Sequence, residues 1–191
     1  SITTQGDGTI IVYDHWEDGF EEDLENPGQT TTEVWGDANP ANGYPPGFPC
    51  DVIVADAIVL EEAIDPDNRG DDFYYDGGDR LGTSGPISVT KANWSEGGRT
   101  LFAGAVEVFA TDFWSSEYLI PFGENVITAT QSLEYVGALI MARENNTQVE
   151  IDRNGDGNID ETISLNQGQS YLLDGGVRTG AMLKASAPVQ V

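Results

Sequence analysis

Residues 147–165 read TQVEIDRNGDGNIDETISL, and the nine in the middle, Asp152–Asp160 (DRNGDGNID), decide how the rest of the chain is read. Oxygen-bearing side chains stand at alternate places: Asp152, Asn154, Asp156, Asn158 and Asp160, with Gly157 permitting a sharp bend. Calcium is a hard cation that takes roughly six to eight oxygens in flexible geometry, which such a loop can converge on one point. An EF-hand would add a bidentate Glu at the loop's last place and a helix on each side. Here that place is Ile163, and the flanks TQVEI and ETISL are short, β-branched and alternating, so they are strands. The stretch is therefore expected to be an EF-like calcium loop at the tip of a β-hairpin. An ordinary Asn/Asp/Gly turn is the plainer alternative. The number of matched positions favours calcium.

The same alternation recurs outward along the chain: TIIVYD, DVIVADAIVL, PISVTKA, TLFAGAVEVFA, EYVGALIMA, SYLLDG and APVQV, separated by Gly, Asn, Asp and Pro. Long amphipathic helix patterns are absent. The expected class is all-β, a β-sandwich of jelly-roll or Ig-like type with long acidic and Pro/Gly loops. Residues 26–51 form one long Pro/Gly-rich loop, and 65–72 an acidic one.

An internal duplication is legible beneath this pattern. Thr9–Asp14 (TIIVYD) aligns with Thr147–Asp152 (TQVEID) at an offset of 138 (147 less 9), which also lays Asp18-Gly19 on Asp156-Gly157 and Glu22 on Asp160. YDGGDRLG (75–82) matches LDGGVRTG (173–180) at an offset of 98 (174 less 76), and PISV (86–89) resembles PVQV (188–191). The expected organisation is a first repeat over 1–112 carrying the inserted loops 26–51 and 65–72, a connector over 113–132, and a second, incomplete repeat over 133–191. Relative to its own repeat the chain lacks sequence at both ends, as expected of an excerpt or of an assembly in which a neighbour donates a strand.

Composition removes several classes. The 33 acidic residues against 8 basic give a formal net charge of −25 over 191 residues, which repels nucleic acid and anionic membrane. No apolar run approaches membrane-spanning length. Cys50 is alone, so no disulfide framework or Cys-based zinc site is available. His15 is the only histidine and has no nucleophile-elbow sequence to serve. With so many acids, paired carboxylates carry no specific sign of glycoside hydrolysis.

Two further acidic loops are candidate calcium sites. One is the degenerate copy at 14–23, with Asp14, Asp18, Glu21, Glu22 and Asp23 but Trp16 in place of Asn154. The other holds Asp65, Asp67, Asn68, Asp71 and Asp72. Asn93 (NWS) and Asn145 (NNT) head glycosylation sequons. Trp35 and Tyr44 are candidates for stacking on a glycan, against core packing as the plainer role.

At YDHWEDGFE (13–21), TEVWGD (32–37) and YYDGGDRLG (74–82) the chain resembles large secreted bacterial surface proteins of unassigned function. Residues 134–191 resemble the N-terminal domain of the IgGFc-binding protein family, with a short apolar strand, an N-T-x-V hairpin, an L-x-x-G-x-x-Y segment and a P-V ending. The resemblance implies an extracellular all-β module of long adhesive or structural proteins and carries over no catalytic residue. The expected function is a non-enzymatic, calcium-stabilised subunit of a bacterial extracellular fibre or surface protein that associates with its own kind through strands or loops. A glycan- or host-protein-binding adhesin module is the alternative, and a carbohydrate-active enzyme comes third.

Overall fold

The computed structural model describes residues 1–15, 21, 23, 26–28, 31–43, 51–55, 57–60, 79–93, 104–126 and 135–191. The described residues form antiparallel β-strands and one short 3-10 turn at Thr111–Phe113, with no α-helix among them. The expected all-β class holds. The chain divides between Phe109 and Ala110 into two compact units, each with its own core.

The first unit runs β1 (Ile2–Thr4), β2 (Ile11–Asp14), β3 (Thr32–Trp35), β4 (Ala57–Ile58), β5 (Arg80–Thr83), β6 (Ile87–Asn93) and β7 (Gly104–Val108). Two sheets result, in the orders β4-β1-β6-β7 and β3-β2-β5. The core draws on both: Ile2 and Ile58 from one, Ile11 and Trp35 from the other, with Ile53 between elements. Burying these apolar side chains is the main favourable term holding the unit together.

The second unit runs β8 (Ser115–Leu119), β9 (Ala138–Ala142), β10 (Thr147–Asp152), β11 (Glu161–Leu165), β12 (Ser170–Leu173) and β13 (Met182–Gln190). Its strands join in the order β11-β10-β13-β9-β12, with β8 also on β13. The long β13 serves two partners. Met182–Ala185 pair with β10, and Val189 and Gln190 pair with β9. Along β10 the inward set Thr147, Val149 and Ile151 is buried while Gln148 and Glu150 face out, the period-two pattern of a strand with one buried face. β8 lies in the stretch expected to be a connector. Its residues alternate in exposure, Tyr118 packs on the core, and the Tyr118 hydroxyl donates to the Val189 carbonyl.

The pairing registers of the two units coincide. In the first, Ile2 faces Ile58 and Thr4 faces Ile87. In the second, Ile140 faces Tyr171 and Ala142 faces Val189. Asp14, Tyr13 and Ile11 face Arg80, Leu81 and Thr83, while Asp152, Ile151 and Val149 face Met182, Leu183 and Ala185. Tyr13 and Ile11 also face Glu33 and Trp35, as Ile151 and Val149 face Glu161 and Ile163. One offset per strand accounts for all of these pairs: 138 for β1 and β2 (140 less 2), 128 for β3 (161 less 33), 113 for β4 (171 less 58) and 102 for β5 and β6 (189 less 87). Local chemistry follows the same map. The buried Thr9 and Thr147 each donate a hydroxyl to the carbonyl three residues earlier, at 2.8 Å on Gly6 and 2.7 Å on Glu144.

Two sequence alignments shift on this map. Asp160 matches Thr32 and not Glu22, because the connection after β2 is ten residues longer than that after β10 (138 less 128). Arg80 matches Met182 and not Arg178, because the PISV/PVQV offset of 102, and not the DGG offset of 98, runs through the paired strand.

Leu183→Ala, in the fully buried face of β13, is expected to destabilise the second unit by ~2–5 kcal/mol, whereas Glu150→Ala on the opposite face stays within ~0.5 kcal/mol. Chemical denaturation of the two variants checks this; equal losses would mean that the two faces are not distinguished by burial.

Candidate functional site

The site is built on the residue that ends the central strand of each unit. In the second unit that residue is Asp152, 3% exposed although its neighbour Glu150 on the same face is open. A buried carboxylate requires compensation. Here the backbone supplies it. Asp152 Oδ1 accepts the amides of Asn154 at 3.2 Å, Gly155 at 2.7 Å and Asp156 at 3.3 Å, and Oδ2 accepts that of Gly157 at 2.8 Å. The chain curls round the carboxylate as a nest of N–H groups. Gly155 is required there: its φ is +71°, and a Cβ would lie 2.6 Å from the Gly180 carbonyl oxygen.

The other oxygen-bearing side chains of the loop hold neighbouring amides. Asn154 Oδ1 accepts Asp156 N at 2.8 Å, Asp156 Oδ1 accepts Asn158 N at 2.8 Å, and Asp160 Oδ2 accepts Arg153 N at 2.8 Å. The Asn158 amide hydrogen bonds hold the Asp156 carboxyl below its ordinary range, with the backbone one the largest cause. The loop does join two antiparallel strands. Its carboxylates do not converge, and no group of three or more His, Cys, Asp or Glu side chains gathers around one point among the described residues.

The first unit answers the same buried charge differently. Asp14 is fully buried and faces Arg80 across β5; Nη2 of Arg80 lies 3.0 Å from Asp14 Oδ2 and also donates to the Glu21 carbonyl. Glu21 N donates to the same Asp14 oxygen at 3.0 Å, and Thr32 Oγ1 to the other at 3.3 Å. The Glu21 carboxylate accepts Gly28 N at 2.9 and 3.0 Å, and its Oε1 lies 3.2 Å from the same Thr32 hydroxyl. A guanidinium thus stands beside Asp14, where a cation had been expected. The counterpart of Arg80 is Met182, and no ion pair reaches Asp152 among the described residues. Arg80 could have been found from the sequence only by knowing the register.

The residue after each central carboxylate is basic, and in both units it approaches the same acid. Arg153 Nη2 lies 2.6 Å from Glu161, and His15 Nε2 lies 3.7 Å from Glu33, which the register makes the counterpart of Glu161. The hydroxyl of Tyr171 also donates to Glu161. That bond, then Arg153, holds the Glu161 carboxyl below its usual range, while Glu161 pushes the Tyr171 phenol up. His15 stacks edge-on against Tyr13, whose hydroxyl donates to Asp79 at 2.5 Å.

The remaining expected residues fall as follows. Trp35 is 1% exposed in the first unit's core, with Nε1 donating to Glu33 at 3.2 Å, so its faces are closed to a glycan. Its rank among large apolar neighbours, and not its place beside a Pro/Gly loop, decided its role. Asn145 is exposed in the β9–β10 connection, and its Oδ1 accepts Gln167 N at 3.2 Å. Asn93 ends β6 opposite Gly104. Asp18, Glu22, Asp65, Asp67, Asp71, Tyr44 and the 65–72 loop lie outside the described residues, as does the side chain of Asn93. No protein-family model matches the chain, and neither a curated protein nor a solved structure matches it significantly.

Two outcomes are expected. Arg80→Met, which copies the second unit's residue, leaves Asp14 buried without its partner and destabilises the first unit by about 3 kcal/mol; Met182→Arg in the second unit carries no such loss. Denaturation curves of the two variants test the asymmetry. For Glu161, a lowered folded pKa means stability that is present above the unfolded value and lost as pH falls through the folded one. Tyr171→Phe removes the largest cause and moves the acid-unfolding midpoint to higher pH, read by circular dichroism; an unmoved midpoint would sever Glu161 from acid stability.

Proposed function

We propose that the chain is a non-catalytic structural part of a bacterial extracellular fibre or surface protein, built from two tandem copies of one β-sandwich module and stiffened by calcium at the 152–160 loop. One observation carries the duplication: a single offset per strand reproduces every shared pairing register in both units. A one-residue slip would turn a strand's apolar set outward, so register is a strongly specified property and chance agreement across four pairings is a poor account of it. Modules that carry their own cores and repeat in line give length without a new fold for each segment, which is what a fibre or a long surface protein needs. The acidic composition and the resemblance of YDHWEDGFE and of 134–191 to secreted surface proteins support the extracellular setting. Association with further copies through strands or loops belongs to the same proposal.

The calcium reading rests on the contrast between the two central carboxylates. Arg80 brings a full positive charge to Asp14, and Met182 brings none to Asp152. The second loop keeps Asp152, Asn154, Asp156 and Asp160 close in sequence at the tip of the β10–β11 hairpin, with the oxygen ligands a hard cation takes. Binding would draw Asp156 and Asp160 away from the amides they now hold. Each ion would neutralise several carboxylates of a chain of net charge −25 and add its binding free energy to the folded state.

At a free calcium concentration ~100 times the Kd, the second unit gains ~2.7 kcal/mol. Isothermal titration and thermal melts with calcium or with a chelator read this directly, and Asp156→Asn with Asp160→Asn should weaken both signals. A chain that releases no binding heat and melts identically in chelator ends the calcium reading. The structural reading is tested separately by electron microscopy of native material: ordered fibres or long arrays support it, whereas dispersed single chains count against it.

A further inference from the structure

The end of β3 carries a second pair of acids that the calcium reading does not use. Asp51 is 2% exposed. Its Oδ1 accepts Gly36 N at 2.8 Å and its Oδ2 accepts Asn39 N at 2.8 Å. The same Asn39 amide donates to Asp37 Oδ1, also at 2.8 Å, so one N–H is held between two carboxylates. Asp37 Oδ2 takes the side-chain amide of Asn42 at 2.9 Å. The groups facing the pair are therefore the Gly36 amide from the end of β3 and the Asn39 and Asn42 amides from the turn. Among the described residues the charges at the pair are the two carboxyls themselves, and neither forms an ion pair with Lys, Arg or His. Between them sits Ala38 at φ +65°, a left-handed conformation that costs a residue with a Cβ, its amide held by the Asp51 carbonyl at 3.2 Å.

We propose that Asp37 and Asp51 share a single proton, and that this proton holds the 36–42 turn in its left-handed shape at the edge of β3. Two ionised carboxylates on one amide repel at short range, and the burial of Asp51 removes water that would screen them on its side. One proton converts the repulsion into an O–H···O hydrogen bond. Burial and then Asp37 push the Asp51 carboxyl up, while the bond to Asp51 is the largest cause lowering Asp37. The pair titrates as a unit. A raised Asp51 contributes stability that is lost as pH rises through its folded value, and a lowered Asp37 contributes stability lost as pH falls through its own. The turn is tightest between the two, when one proton is held. The turn bonds directly to the sheet, since Val34 N donates to the Asn42 carbonyl at 3.1 Å, so its loosening opens the outer edge of β3.

NMR on the full chain tests this, in chelator, from about pH 3 to about pH 8. The Asp51 carboxyl carbon should titrate above an ordinary aspartate. Hydrogen-exchange protection of the Gly36 and Asn39 amides, corrected for intrinsic rates, should fall by about tenfold or more as that proton leaves. Asp51→Asn should flatten the pH dependence of protection while keeping the turn. Should that variant fail to fold, Asp37→Asn and the wild-type carboxyl titration still decide. Carboxyl carbons that both stay ionised across the range overturn the proposal, as does wild-type protection that is flat with pH. If calcium restores protection at the high end and Asp51→Asn abolishes that rescue, a cation and not a proton holds the pair, and the proposal is likewise overturned.

Discussion

A carboxylate buried at the end of a central strand is the constraint on which both halves of this protein turn. Such a group cannot stay ionised inside a fold without donors or a positive partner. Asp14 and Asp152 occupy the same register position, and each organises the chain that follows it. Around Asp152 the backbone supplies the compensation, and four amides in succession define the hairpin loop. Around Asp14 a side chain from the facing strand does much of it, and the Glu21 amide returns to the same oxygen after a longer excursion. One local problem thus has two solutions: the backbone nest keeps its connection short, whereas the guanidinium tolerates a long insertion.

The same residue sets the electrostatics of its surroundings. The basic residue next in the chain approaches an acid on the adjacent strand in both units, Arg153 on Glu161 and His15 on Glu33. Arginine is always charged and makes the closer, firmer contact. Histidine at that position gives a charge only when protonated. The second unit therefore carries a permanent ion pair where the first carries a conditional one. Arg80 and Arg153 stand beside buried or partly buried carboxylates, where a positive charge is worth most, whereas Arg143 and Lys184 pair with the exposed Asp112 and Glu117.

What was legible in the sequence was whatever periodicity and turn chemistry express. β10 and β11 could be read from TQVEID and ETISL because one face is buried and the other is open, and the loop between them from its Asp, Asn and Gly spacing. The likeness of TIIVYD to TQVEID was visible because both strands end on an aspartate. The exact match of partners was not, because DGG turns resemble one another wherever they stand, and sequence similarity in a turn does not fix which residues pair beyond it. β8 went unread because SSEYL is short and its inward Tyr118 is amphipathic, so the alternation is weak. Trp35 illustrates a further limit. An aromatic beside a Pro/Gly loop suits a binding surface or a core equally well, and only the packing with Ile2, Ile11, Ile53 and Ile58 separates them. The Asp37–Asp51 pair had no sequence signal, since the two acids meet only through the fold of the intervening loop.

The differences between the units have a physical logic. The first unit is longer in each of three connections, after β2, β3 and β4, by ten, fifteen and eleven residues on the register map (138 less 128, 128 less 113, 113 less 102). Its outer face differs as well. Val12 and Val34 face each other there and are both buried, whereas their counterparts Glu150 and Thr162 are exposed. Apolar residues on both faces of β2 are stable only if chain covers the second face, and charged residues on β10 are stable only if it stays open. Added loop length is entropically cheap, because closure cost grows slowly with length. The apolar residues on the outer face repay it by burial. Longer connections and buried outer-face valines therefore belong together in the first unit, as shorter connections and an open polar face do in the second, while the pairing register that carries the core is common to both.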